Sequence, residues 1–299
     1  MFFCVLDSIA FPLSATHSIH VDKLSAGFSN LGYRPIRIKN LGELRHLSCH
    51  DIVYISNHFY IYPHLKLFRN ALRSSLIKEI HNSSARFILW SGNEYIDNSM
   101  LSLTNVISLE DSTFAGQTNN MINTIVINYR CAFADPTSSL IPINNRKNSV
   151  FFVGSRHYMT NKMFNDLLKV PNSFIHRSPP LLSTTAQWNL LKDSKISIGL
   201  FSKNHIIHGT YTERLPESLA AGTIFVHNHP NLPSTFAGLD SVIYFSHSNT
   251  ELRNFLFNIL SLPSSRLSEL SDISLKFYLD NCLSYSNLAC HIINAFKFK

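Results

Sequence analysis

Short apolar runs alternate with segments of helical spacing along most of the chain. Phe2–Leu6 is a continuous apolar run ended by Asp7, the pattern of a strand buried on both faces. Residues 16–31 carry Ile19, Leu24, Phe28 and Leu31 at helical spacing, and Gly32 is placed to stop that helix. Arg34–Ile38 alternates as a second strand, and residues 51–56 form a third, followed by a loop with Asn57, His58 and Pro63. Over residues 64–83, Leu65, Leu67, Phe68, Leu72, Leu76, Ile77 and Ile80 predict a long amphipathic helix. Residues 86–90 are the next strand. The polar stretch Ser91-Gly92-Asn93-Glu94 follows it, at the end where open α/β sheets place ligands. Residues 106–109 and 124–128 predict two more strands.

This alternation implies a parallel sheet covered by helices on both faces. It breaks at residues 132–149, where Asp135-Pro136, Pro142 and several Asn and Ser residues read as a linker between a domain at 1–131 and a second at 150–299. Beyond the break, strands are predicted at 150–153, 173–176 and 196–200, with helices at 162–168 and 184–191. A strand at 242–245 ends the alternation. Helical periodicity at 252–260 and 267–296, interrupted by Pro263, predicts a helical tail assigned to the second domain.

Within the second half, residues 210–229 pack a helix start, a helix stop and a buried strand into one short segment. Thr212 is suited to cap a helix, Glu213 and Glu217 load its first turns with acid, and Gly222 supplies the left-handed residue that ends it. Thr223, Ile224, Phe225 and Val226 then read as a short parallel strand.

Composition narrows the class. A chain of 299 residues exceeds the size at which single cores stop growing, which favours two domains. Hydrophobic content of 45% and charged content of 15% describe a packed globular chain. The formal charge of +7 is scattered, with no basic block of the kind that marks a nucleic-acid arm, and no nucleic-acid partner is expected. The five cysteines, Cys4, Cys49, Cys131, Cys282 and Cys290, show neither disulfide nor zinc spacing and suit a reducing compartment. The apolar N-terminus lacks a basic flank and carries Asp7, so a first strand is expected there and not a signal peptide. No apolar run approaches the roughly 20 residues that cross a bilayer. A cytoplasmic protein is expected, with peripheral contact to an anionic membrane surface left open by the basic charge and the helix at 64–83.

The segment Glu213-Arg214-x-x-Glu217-Ser-Leu-Ala-Ala-Gly222-Thr-Ile, followed by Leu232-Pro233, resembles the donor-site segment of GT-B glycosyltransferases. The exostosin-like transferases and the group 1 family C-terminal domain carry similar patterns. The likeness in motif covers the chain from Val150 onward; the first half matches only in its order of strands and helices. It implies two facing Rossmann-like domains with parallel sheets, the donor on the C-terminal one and the acceptor on the N-terminal one. It further implies a nucleotide-sugar donor, no cofactor besides that co-substrate, and a glycan or glycolipid acceptor.

On this resemblance Glu217 matches the ribose-binding glutamate, a role a carboxylate suits because it accepts hydrogen bonds from both ribose hydroxyls. Arg214, one helical turn earlier, is placed to hold the diphosphate or to pair with Glu217, and Glu213 either joins the donor site or only complements the helix dipole. Gly154-Ser155-Arg156 with Lys162 resembles the strand–Gly–Arg…Lys pattern that contacts donor phosphates, and two cations there suit a leaving diphosphate that gains charge. Gly209 and Thr210 lie in the loop feeding the helix, where backbone amides suit an anion. Group 1 members usually carry a glutamate eight residues before the ribose-binding one. That position is Gly209 here, so their retaining stereochemistry does not carry over.

An inverting transferase needs one base to take the acceptor proton. His17 is the first candidate because imidazole titrates near neutral pH, Asp22 the second and Glu94 the third. No Asp-x-Asp occurs, so a metal-bound diphosphate is not expected, and the glycine fingerprints of dehydrogenases and P-loop proteins and the nucleophile elbow of hydrolases are also missing. The alternatives on the same fold are a non-catalytic nucleotide-sugar or glycan-binding protein and a nucleotide-sugar isomerase.

Overall fold

The computed structural model describes residues 1–6, 15–56, 66–92, 105–110, 140–155, 160–178, 182–201, 203, 206, 211–232, 234–246, 251–281 and 283–297. The chain divides into two compact units, Met1–Tyr129 together with Ser284–Lys299, and Arg130–Leu283.

The first unit contains β1 (Phe2–Leu6), α1 (Ala15–Asn30), β2 (Arg34–Ile38), a 3-10 turn at Leu41–His46, β3 (Ile52–Ser56), α2 (Lys66–Asn82), β4 (Arg86–Gly92) and β5 (Val106–Glu110). Its sheet runs β2-β1-β3-β4-β5 with every described pairing parallel. β1 lies inside the sheet and is covered on both faces, which is why its run is apolar throughout. Cys4 and Leu6 join the cluster with Leu76 and Ile80 of α2. Phe3, pointing the other way, stacks on Phe28 of α1 at 4.2 Å between ring centroids. Pro35 falls on the edge strand β2, opposite Phe3, where a missing N–H breaks no inner ladder. Asp51 draws the starts of β1 and β3 together by accepting from the Phe2 amide at 2.8 Å and the Ser48 amide at 2.9 Å.

The second unit contains β6 (Asn148–Ser155), α3 (Asn161–Leu168), β7 (Ser173–Ser178), α4 (Thr184–Lys192), β8 (Ser194–Gly199), α5 (Arg214–Ala220), β9 (Ile224–His227), α6 (Ser234–Ala237), β10 (Val242–Tyr244), α7 (Leu252–Leu260) and α8 (Ser264–Asp280). Its parallel sheet runs β10-β9-β8-β6-β7. Counted from its own first strand, this order repeats that of the first sheet. In both, the first strand has the second on one side and the third on the other, so the order reverses between β1 and β3 and again between β6 and β8. Ligands of open α/β sheets bind outside the carboxyl ends at such a reversal. One face of the second sheet is closed by α3, α7 and part of α8 through Met163, Leu167, Leu256 and Leu267. The other is closed by α4 and α5 through Trp188, Leu215 and Leu219.

The final helix, α9 (Tyr285–Lys297), belongs to the first unit although the sequence assigned the whole tail to the second domain. It packs on α1 so closely that a Cβ on Gly27 would lie 2.4 Å from the Tyr285 carbonyl oxygen. Lys23, almost fully buried, sits beneath the Tyr285 ring at 5.9 Å, and Asn30 donates to Ser286 at 2.9 Å. Helical periodicity states that a face is buried and not against which unit, so this return is invisible in the tail's own sequence.

Other differences are local. The strand expected at 86–90 continues to Gly92, so Ser91 and Gly92 end β4 and do not begin a loop, with the register shifting between Trp90 and Gly92. The described part of the expected linker is packed: Ile143 is buried in a 3-10 turn, Arg146 is buried, and β6 starts at Asn148. The expected strand at 124–128 and the loop with Asn57, His58 and Pro63 lie outside the described residues. Among the described residues, no helix is long and apolar enough to cross a membrane.

Candidate functional site at the carboxyl end of the second sheet

The backbone at the reversal point of the second sheet is kept open by two glycines. Gly154 is the second-last residue of β6 and Gly199 ends β8. A Cβ on Gly154 would stand 2.7 Å from the Phe152 ring, and one on Gly199 would stand 2.3 Å from the Phe225 ring. Each ring folds over a glycine, so neither strand end tolerates a side chain without moving a buried phenylalanine.

Beside these ends stands α5. Tyr211, which precedes it, is buried. The cap position is held by Glu213, one residue later than the Thr212 expected from sequence, and no side chain closes the cap. The Thr212 carbonyl nevertheless accepts from the Leu215 amide at 3.1 Å. Pro216 is tolerated because it lies in the first turn, where its missing N–H would have had no helical partner. The stop is the one the sequence predicts. Gly222 has φ +60°, Thr223 N donates to Ser218 O at 2.9 Å, and Gly222 N donates to Leu219 O at 3.0 Å, the paired bonds of a Schellman motif.

Arg214 and Glu217 share the inner face of this helix. They pair at 3.5 Å, with side chains only 13% and 14% exposed. Arg214 Nη2 also donates to Gln187 Oε1 of α4 at 3.3 Å and to Val153 O of β6 at 3.5 Å. Its guanidinium lies 4.9 Å from the centroid of the Phe151 ring, within cation–π range. Arg214 Nη1 is buried without a hydrogen-bond partner. A buried donor left unsatisfied is uncommon in a folded interior.

The neighbouring strand end carries residues to which the sequence assigned no role. His227 is buried, and burial, followed by the adjacent His229, pushes its pKa down to about 4. Its Nδ1 accepts from the His229 amide at 3.2 Å, and His229 Nδ1 accepts from the Asn231 amide at 3.1 Å. An acceptor Nδ1 leaves the proton of the neutral His227 ring on Nε2, so its tautomer is set by the backbone. Asn228 bridges β9 to the end of β8, accepting from Phe201 N at 2.7 Å and donating to Phe201 O at 3.4 Å. The available signal was the run His227-Asn228-His229 directly after an apolar strand. Gln187 had none, because it reads as one polar position on an amphipathic helix. Arg177, at the carboxyl end of β7, was also missed; it lies over the Phe164 ring at 3.7 Å with Nε and Nη2 buried and unpartnered.

The remaining candidates separate. Lys162 is exposed in the first turn of α3, whose cap Thr160 accepts from Met163 N at 3.2 Å. His17 lies in the first turn of α1. Asp22, further along α1, is exposed and paired with Arg37 of the edge strand at 3.4 Å. Glu94, Arg156, Gly209 and Thr210 lie outside the described residues. Among the described residues, no group of three His, Cys, Asp or Glu is arranged to hold a metal ion.

No protein-family model matches the chain, and no curated protein sequence matches it. Solved structures do. A glycosyltransferase from Rickettsia africae ESF-5 matches with a TM-score of 0.58 over 99% of this chain and 98% of its own, at 13% identity. AviGT4, a glycosyltransferase involved in avilamycin A biosynthesis, matches with a TM-score of 0.53 over 99% and 97%, at 8% identity. A mutant of TarM from S. aureus, in complex with fondaparinux, α-GlcNAc-glycerol and UDP, matches with a TM-score of 0.50 over 86% of this chain and 58% of its own, at 12% identity. The fold is GT-B. Two parallel five-stranded sheets clothed in helices carry the likeness, as the alternation along the sequence implied.

Proposed function

We propose that the chain is a glycosyltransferase that moves a sugar from a nucleotide-sugar donor to a hydroxyl of a glycan or glycolipid. The observation that carries this is Glu217, a largely buried carboxylate held at 3.5 Å by Arg214 beside the order reversal of the second sheet. It stands in a chain that matches two glycosyltransferase structures end to end. In this assignment Glu217 accepts hydrogen bonds from the ribose hydroxyls. Arg156 and Lys162 take the charge that gathers on the diphosphate as the glycosidic bond breaks, so a cationic pair does the work a metal does elsewhere. Gly209, Thr210 and Glu213 border the donor at the start of α5. His17 serves as base: it takes the proton of the acceptor hydroxyl as that oxygen attacks the anomeric carbon, and the nucleoside diphosphate leaves. Asp22 is the weaker candidate because it is engaged with Arg37 on the surface.

Thermal melts of the full chain with UDP-, GDP- and CMP-sugars test the donor step, since a ligand at 100 times its Kd stabilises by about 2.7 kcal/mol. One donor class is expected to raise Tm, and Glu217→Ala to abolish the rise. The absence of a shift with every donor overturns the assignment. Binding without release of the nucleotide in the presence of acceptor glycans would identify a binding protein on the same fold.

A further inference from the structure

Arg214 was expected from sequence either at the donor diphosphate or beside Glu217, and its surroundings decide between these. The guanidinium is enclosed by protein. Nη2 is spent on Gln187 Oε1 at 3.3 Å and Val153 O at 3.5 Å, one face lies against Phe151, and Nη1 is buried 3.5 Å from Glu217 Oε2. Turning it toward a phosphate would break its links to β6, α4 and Glu217 together. Gln187 is itself fixed. Its Nε2 donates to Leu182 O at 2.9 Å, which leaves Oε1 as the acceptor that faces Arg214. The amide has one orientation, because the reverse would set its NH2 against the guanidinium.

We propose that Gln187 and Arg214 are positioning residues for Glu217, with Gln187 anchoring the guanidinium to α4 and the guanidinium holding the carboxylate in one rotamer for the ribose diol. This rests on the donor-site assignment of Glu217 made above, and it leaves the diphosphate to Arg156 and Lys162. A glutamate side chain is rich in rotamers, and ordering it before the ligand arrives removes that entropy from the binding step. The effect falls on the part of the nucleotide that Glu217 touches and spares the rest.

Calorimetric titration of the full chain with UDP and 2′-deoxy-UDP tests it, or with the GDP or CMP pair if that base gives the larger shift in Tm. The parent is expected to favour the ribonucleotide by about tenfold, the value of a good hydrogen bond to a charged group. Gln187→Met narrows that preference by about threefold at nearly constant Tm, and Arg214→Met brings it close to one. Gln187→Glu, which offers the guanidinium a competing carboxylate, narrows it as well. Arg214→Lys keeps the charge but loses the fork, so it does not restore the preference. Equal loss of affinity for both nucleotides in the Arg214 variants, with the preference intact, would make Arg214 a phosphate contact and overturn the proposal. If Glu217→Gln abolishes the preference while Gln187→Met and Arg214→Met preserve it, the positioning role fails and the donor site stands. A parent with no preference between the two nucleotides overturns both.

Discussion

The two ends of the second sheet each bury an arginine, and they treat it in opposite ways. At the amino end Arg146 is only 4% exposed and its hydrogen bonds are short and numerous. Nε donates to Ile141 O at 2.9 Å, Nη1 to Ser194 O at 2.9 Å and Thr223 Oγ1 at 3.0 Å, and Nη2 to Ala221 O at 2.7 Å. Every one of these acceptors is neutral, and burial pushes its pKa down to about 10, with Asp193 opposing. At the carboxyl end Arg214 makes longer contacts, keeps one donor unsatisfied and faces a carboxylate. A charge whose donors are met by the chain itself is a fastening. A charge met only by longer contacts and by a carboxylate, with one donor outside any hydrogen bond, holds the chain together less firmly.

The sharpest way to break this comparison is to remove Arg146. Arg146→Met would strand three backbone carbonyls that start or support β6, β8 and β9, and a loss of about 3–5 kcal/mol is expected in urea melts. Ribonucleotide preference, measured on the folded fraction, should not change. A loss under about 1 kcal/mol would mean that the amino end is no better fastened than the other.

The next effect is a pH dependence confined to the carboxyl end. His227 is held neutral in the folded chain at a pKa of about 4, against an ordinary value of 6.5. Between those values the unfolded chain binds a proton that the folded chain refuses, so stability falls as pH drops from about 6.5 toward 4 and is unaffected by this group above that window. The depression corresponds to roughly 3 kcal/mol. Urea melts of the parent and of His227→Phe at pH 7 and pH 4.5 should differ in slope, the variant losing less on acidification. Equal slopes would place the acid sensitivity elsewhere.

The smallest stability effect is expected at Arg214 itself. Arg214→Met keeps the packing on Phe151, gives up long bonds and leaves Glu217 without its cation, a net loss of about 1–2 kcal/mol. If this variant melts as early as Arg146→Met, the contrast between the two ends disappears.

Much of this site was legible because its signals are local. Gly222 after an amphipathic turn announced a left-handed stop, and the stop has the expected paired bonds. Arg214 and Glu217, three residues apart, had to share a helical face, and they do. Gly154 was placed by the sequence at the close of a strand, whereas Gly199 was read as interior to one, and only the rings of Phe152 and Phe225 explain why nothing larger fits at either position. Arg146 was misread as part of a polar linker because its acceptors come from residues 141, 194, 221 and 223, most of them far along the chain. Gln187 was silent for the same reason.

By itself, then, the sequence determined the alternation of strands and helices, the parallel sheets that follow from it, and the stop of the helix that carries Glu217. These depend on backbone preferences and on apolar spacing within a few residues. The tertiary structure alone decided that α9 returns to the first unit, that His227 is kept neutral, and that Arg214 is turned inward on Glu217 and Gln187. Each of those depends on burial and on partners brought together by sheet order, and none is written in the spacing of a single segment.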